Sequence, residues 1–92
     1  MHLFAAILTK IETDQEEALL IQHRAFLDEM TAKGRIAARG PFLDGSGGLV
    51  IYRASDEASA LELASSDPFV RGGARSLVLK AWKGAFPDAD GH

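Results

Sequence analysis

Residues 3–8, Leu-Phe-Ala-Ala-Ile-Leu, leave the chain few choices. Every position of this run is apolar, and polar Thr9-Lys10 ends it. It has a strand's length and falls far short of a membrane span. A strand apolar on both sides belongs inside a sheet whose two faces are both covered. Residues 49–54, Leu-Val-Ile-Tyr-Arg-Ala, read the same way. At 92 residues the chain holds one core and one domain. Such a chain buries roughly 60–65% of its unfolded surface, so stability is modest without a partner.

The other segments fall into place around these two strands. Thr13-Asp14-Gln15-Glu16 fits a capping box, and the helix it opens is predicted to run to about Lys33, with Gly34 as a left-handed stop. Residues 35–43 read as a second strand. Pro41 lacks a donor, so the strand should lie at an edge or break near Gly40-Pro41. Asp44-Gly45-Ser46-Gly47-Gly48 is the turn of a hairpin leading into residues 49–54. Ser55 is predicted to cap a second helix, with Asp56 and Glu57 in its first turn and Leu61, Ala64 and Ala58 on its buried stripe. Asp67-Pro68 then starts a short helical turn ending at Gly72-Gly73. Residues 76–83 form a last strand with Leu77, Leu79 and Ala81 on one side and Val78, Lys80 and Trp82 on the other.

The order βαββαβ, with a short extra helix before the last strand, is that of the ferredoxin-like split βαβ unit: an α+β fold with a four-stranded antiparallel sheet. One domain over residues 1–86 and a mobile tail over 87–92 are expected. Two helices cover only one face of such a sheet. A second copy packed sheet to sheet is the simplest cover for the other face, so a homodimer is expected.

Composition narrows the function. The chain has no cysteine, which excludes disulfides, thiolate catalysis and cysteine-ligated metals. His2, His23 and His92 have no metal-ligand spacing, and the glycines of the hairpin are not followed by the GK[ST] of a phosphate loop. No metal or cofactor is expected. The net charge of −3 and the absence of a basic run argue against nucleic acid. With no signal peptide or membrane-spanning run in the sequence, a cytoplasmic protein is expected.

The residue that stands out is His23. At helical spacing it shares a face with Leu19, Phe26, Leu27 and Met30. An imidazole placed among apolar side chains needs a partner, since an unsatisfied buried group costs about 1–3 kcal/mol. Asp67, set before a proline where the chain turns, is the best acidic candidate. Both residues have plainer readings. His23 can be a satisfied core or interface histidine, and Asp67 can be an N-cap with Pro68 at the first helical position.

His23, Gly34-Arg35, Gly40-Pro41, the hairpin glycines and Asp67-Pro68-Phe69, in this order and spacing, resemble the YciI-like (YCII-related) family over residues 3–86. The resemblance implies a ferredoxin-like protomer, a sheet-to-sheet dimer (a dimeric α/β barrel), and a pocket in which a histidine and an aspartate form an acid–base pair. His23 and Asp67 are the positions that match. One member class of the family is a dehalogenase acting on a chlorinated hydroxymuconolactone, and the fold is shared with muconolactone isomerases.

An imidazole can take and return a proton near neutral pH, and a carboxylate on one ring nitrogen fixes its tautomer. A small cofactor-free acid–base enzyme follows as the first reading, with lyase, isomerase or dehalogenase chemistry on a small unsaturated or lactone acid. His23 and Asp67 are the candidate catalytic residues; Gly40, Pro41 and Phe69 are the candidate substrate-binding residues. Gly40-Pro41 as a strand-ending kink, and Phe69 and Trp82 as packing, are the alternatives. Arg39 or Arg71 could hold a substrate carboxylate. A dimeric small-molecule-binding module without chemistry is the second reading, and an interaction protein with no pocket is the third.

Overall fold

The computed structural model describes residues 2–85. The tail predicted over 87–92 lies outside the described residues, as does Phe86. β1 (His2–Lys10) is the centre of the sheet, paired antiparallel with both β3 (Gly47–Ala54) and β4 (Arg75–Trp82). β2 (Ile36–Pro41) pairs only with β3, giving the order β2-β3-β1-β4. Pro41 ends the edge strand, as its missing donor requires. Three helices, α1 (Glu16–Ala32), α2 (Glu57–Ser65) and α3 (Pro68–Arg71), complete the ferredoxin-like α+β fold.

The pairing sorts side chains by face. Phe4, Ala6 and Leu8 of β1 stand beside Tyr52, Val50 and Gly48 of β3. With Leu27 and Ile36 they form the buried core under the helices. The opposite face carries Leu3, Ala5 and Ile7, beside Arg53, Ile51 and Leu49 on one flank and Trp82, Lys80 and Val78 on the other. Val78 and Trp82 are 49% and 42% exposed there. No described helix packs over that face.

β2 contains a bulge between Ile36 and Ala38. Ile36 pairs with Tyr52 on the helix side, and after the bulge Arg39 pairs with Val50, also on the helix side. Strict alternation would have sent residue 39 to the other face; the extra residue turns it inward.

Several helix ends differ from the sequence reading. The capping box does not form: α1 begins at Glu16, and Thr13 Oγ1 accepts only from the Gln15 amide at 3.2 Å. The Glu16 carboxylate is instead held by Arg75 through two bonds of 2.8 and 2.9 Å, a stronger offer than one backbone amide. At the other end Gly34 takes a φ of +77° as the expected stop. α2 is capped by Asp56, whose carboxylate accepts from the Ser59 amide at 2.8 Å, rather than by Ser55. The buried stripe of α2 is Ala60 and Ala64, while Leu61 is exposed. Alanines let the helix sit close to the sheet, and that leaves Leu61 and Ala58 on the solvent side. β3 starts at Gly47, two residues earlier than expected, and β4 at Arg75.

Candidate functional site

α1 delivers His23 from above the sheet, and the segment joining α2 to β4 delivers Asp67 from the side. His23 Nδ1 lies 2.7 Å from Asp67 Oδ1 and 2.9 Å from Oδ2. Asp67 is fully buried, whereas 13% of the His23 side chain is exposed. A carboxylate can only accept, so Nδ1 carries the shared proton, and in the neutral ring Nε2 keeps its lone pair. Asp67 is also the N-cap of α3, its Oδ1 accepting from the Phe69 amide at 2.9 Å with Pro68 in the first helical turn. The carboxylate therefore does both things the sequence left as alternatives.

The imidazole is fixed from a second direction. The Phe69 ring stacks on it, with centroids 4.3 Å apart and planes inclined by 26°. The Arg75 guanidinium lies 4.0 Å from the Phe69 centroid. The Phe69 ring thus meets both an imidazole and a cation. Glu16 neutralises Arg75. The Arg75 hydrogen bonds hold the Glu16 carboxyl below the usual glutamate range. Tyr52 lies under the same region. Burial, with the charge of Asp67 second, pushes its phenol well above the ordinary tyrosine range, so it stays neutral.

A cavity of about 350 Å³ opens beside His23. Leu20 and Leu27 of α1 and Leu8 and Val50 of the sheet give it an apolar lining, to which β2 and the hairpin add Arg39, Gly40, Pro41, Gly47 and Gly48. Phe69 and Arg75 also line it. Four of the sequence candidates, His23, Gly40, Pro41 and Phe69, thus face one space, with Asp67 directly behind the imidazole. Of the two candidate anion holders, Arg39 lines the cavity and Arg71 does not; Arg71 is exposed at the end of α3. Trp82 lies on the other face of the sheet.

Sequence reasoning passed over Leu20, Arg24, Asp28, Glu16 and Arg75. The first three carried a signal, since they flank His23 and Leu27 at helical spacing. Arg75 carried none: its place depends on how β4 pairs with β1.

A ferredoxin-like protomer with a buried carboxylate behind a cavity-lining histidine defines a class of small α+β proteins. The YCII-related domain matches residues 2–83, and the chain belongs to that family. The uncharacterized protein YjpA of Bacillus subtilis (strain 168) is 38% identical over 61 residues, covering 66% of this chain and 72% of that protein. The fold is also that of 5-chloro-2-hydroxyhydroquinone dehydrochlorinase (TftG) from Burkholderia phenoliruptrix AC1100, solved with 2,5-dihydroxybenzoquinone. That structure superposes with a TM-score of 0.67 at 21% identity, covering 90% of this chain and 95% of the other.

Proposed function

We propose that the protein is a cofactor-free acid–base enzyme of the YCII-related family, acting in the cytoplasm on a small unsaturated or lactone acid by lyase, isomerase or dehalogenase chemistry. The observation that carries this reading is the 2.7 Å contact between a cavity-lining imidazole and a fully buried carboxylate. The dehydrochlorinase activity named for a protein of the same fold supports it.

The chemistry follows from the tautomer. His23 Nε2 takes a proton from a carbon beside a carbonyl, and Asp67 stabilises the imidazolium through Nδ1–H. The electron pair left on carbon forms a double bond. It expels chloride in a dehalogenation, or in an isomerisation moves and is reprotonated by the imidazolium. After chloride departs, the imidazolium returns its proton to water. General acid–base help of this kind is typically worth about 10²–10⁴ in rate.

Dimerisation belongs to the same proposal. Leu3, Ile7, Leu49, Val78 and Trp82 make the helix-free face of the sheet largely apolar, and a second copy covers it.

The ring Nδ1–H signal of His23 in NMR, in the unmodified protein and in Asp67→Asn, tests the pair. With the carboxylate gone its charge-assisted bond is lost, so the Nδ1–H proton should move upfield and exchange faster with water. In parallel, His23→Gln should abolish halide release from chlorinated hydroxyquinols or lactones while leaving ligand binding in place. An Nδ1–H signal unchanged in Asp67→Asn, together with equal turnover by His23→Gln, would overturn the reading.

A further inference from the structure

The cavity has one more cation than its carboxylates neutralise. Three arginines line it: Arg24, Arg39 and Arg75. Arg75 is held by both oxygens of Glu16. Arg39 meets Asp28 through a single bond, Nη2 to Oδ1, at 2.7 Å. Arg24 has neither an ion pair nor a hydrogen bond among the described residues. Apart from the His23–Asp67 pair, the lining therefore has room for one negative charge, in a protein whose net charge is −3.

The Asp28–Arg39 pair is unlike the other two carboxylate pairs at the site. The Asp28 side chain is 71% exposed, so little holds it there. Arg39 uses one of five guanidinium donors on it, although that fork is shaped to grip a carboxylate with two. The bulge in β2 is what aims Arg39 into the cavity. Asp28 follows His23 by five residues on α1, which places it about 7.5 Å further along the helix axis. That separation is about the reach of one ring bearing a carboxylate, and Leu27, which falls between the two on the helix, gives that stretch of the cavity an apolar lining.

We propose that Arg39 anchors the carboxylate of a singly charged cyclic acid, that Asp28 occupies this anchor until the ligand displaces it, and that Arg24 supplies the charge that favours the exchange. The inference rests on the reading above only in placing the ligand beside His23. It names the ligand class as a monocarboxylate and the anchor as a residue distinct from the acid–base pair.

Benzoate and benzamide, alike in shape and different in charge, are suitable probes, with binding to the full chain followed by calorimetry and amide NMR. Benzoate should bind about tenfold more tightly than benzamide, as expected for charge-assisted bonding. Arg39→Gln should erase that preference and Arg24→Gln should reduce it. Asp28→Asn should tighten benzoate about two- to fivefold, the worth of an exposed ion pair, and leave benzamide unchanged. Equal binding of the two probes, no saturable benzoate binding even by Asp28→Asn, or a preference surviving Arg39→Gln would each overturn the proposal. His23→Gln should keep the benzoate preference. Loss of turnover without loss of that preference would thus separate the two readings.

Discussion

Around His23 four side chains act as one assembly. Asp67 fixes the ring edge, Phe69 covers the ring face, and Arg75 meets Phe69 while being held by Glu16. Its outermost member, Glu16, makes one contribution to stability that depends on pH. Because Arg75 lowers the Glu16 pKa, this pair stabilises the fold fully above the ordinary glutamate range and loses that contribution as pH falls through it. Glu16→Gln should therefore cost about 0.5–1 kcal/mol at pH 7, a value discounted for partial exposure, and much less at about pH 3. Urea unfolding of both proteins at the two pH values checks this; a difference that does not shrink in acid would refute it. At this scale the sequence was readable where the cause is local. His23 breaks an apolar helical period, and Asp67 precedes a proline at a turn. Glu16 looked like half of a capping box because its real partner, Arg75, lies 59 residues away.

The hairpin between β2 and β3 shows what decides an element. Its glycines announce a turn, and the turn is there; the start of β3 at Gly47 is not announced. Gly47 has a φ of +148°, and a Cβ there would sit 1.8 Å from the Leu8 carbonyl oxygen, so the strands close only because this residue has no side chain. Gly45 has a φ of +77° with nothing within 4 Å of a built Cβ. Gly47→Ala should cost about 2–4 kcal/mol and Gly45→Ala about 1–2 kcal/mol, measured by urea unfolding. Equal losses would mean that the close approach to Leu8 does not matter. Helix faces were harder to read than strands. Ala60, Leu61 and Ala64 all suit a buried stripe, and only the distance between α2 and the sheet selects the small pair.

For the whole molecule, two strands apolar on both sides were the most informative lines in the sequence, because they fixed the sheet's interior and left one face in need of cover. Burying a medium aliphatic side chain is worth about 1.5–3 kcal/mol, so a second copy on that face would add much to a 92-residue domain. Sedimentation equilibrium should give about twice the chain mass of 9.9 kDa, and Val78→Lys should return the protein to that mass. A single-chain mass for the unmodified protein would refute the sheet-to-sheet dimer. The cavity was less legible than the fold, since its lining comes from β1, α1, β2, β3, α3 and the start of β4 and no short stretch encodes it.

One irregular residue near Ala37 ties the molecule's two surfaces together. Drawing it into regular pairing opposite Ile51 would slide the rest of β2 by one step, presenting Ala38 and Gly40 to the cavity and swinging Arg39 onto the apolar side where Leu49 and Ile51 lie. The register of one short edge strand thus governs both what lines the interior and what the outer face presents, so neither trait is free to drift without the other.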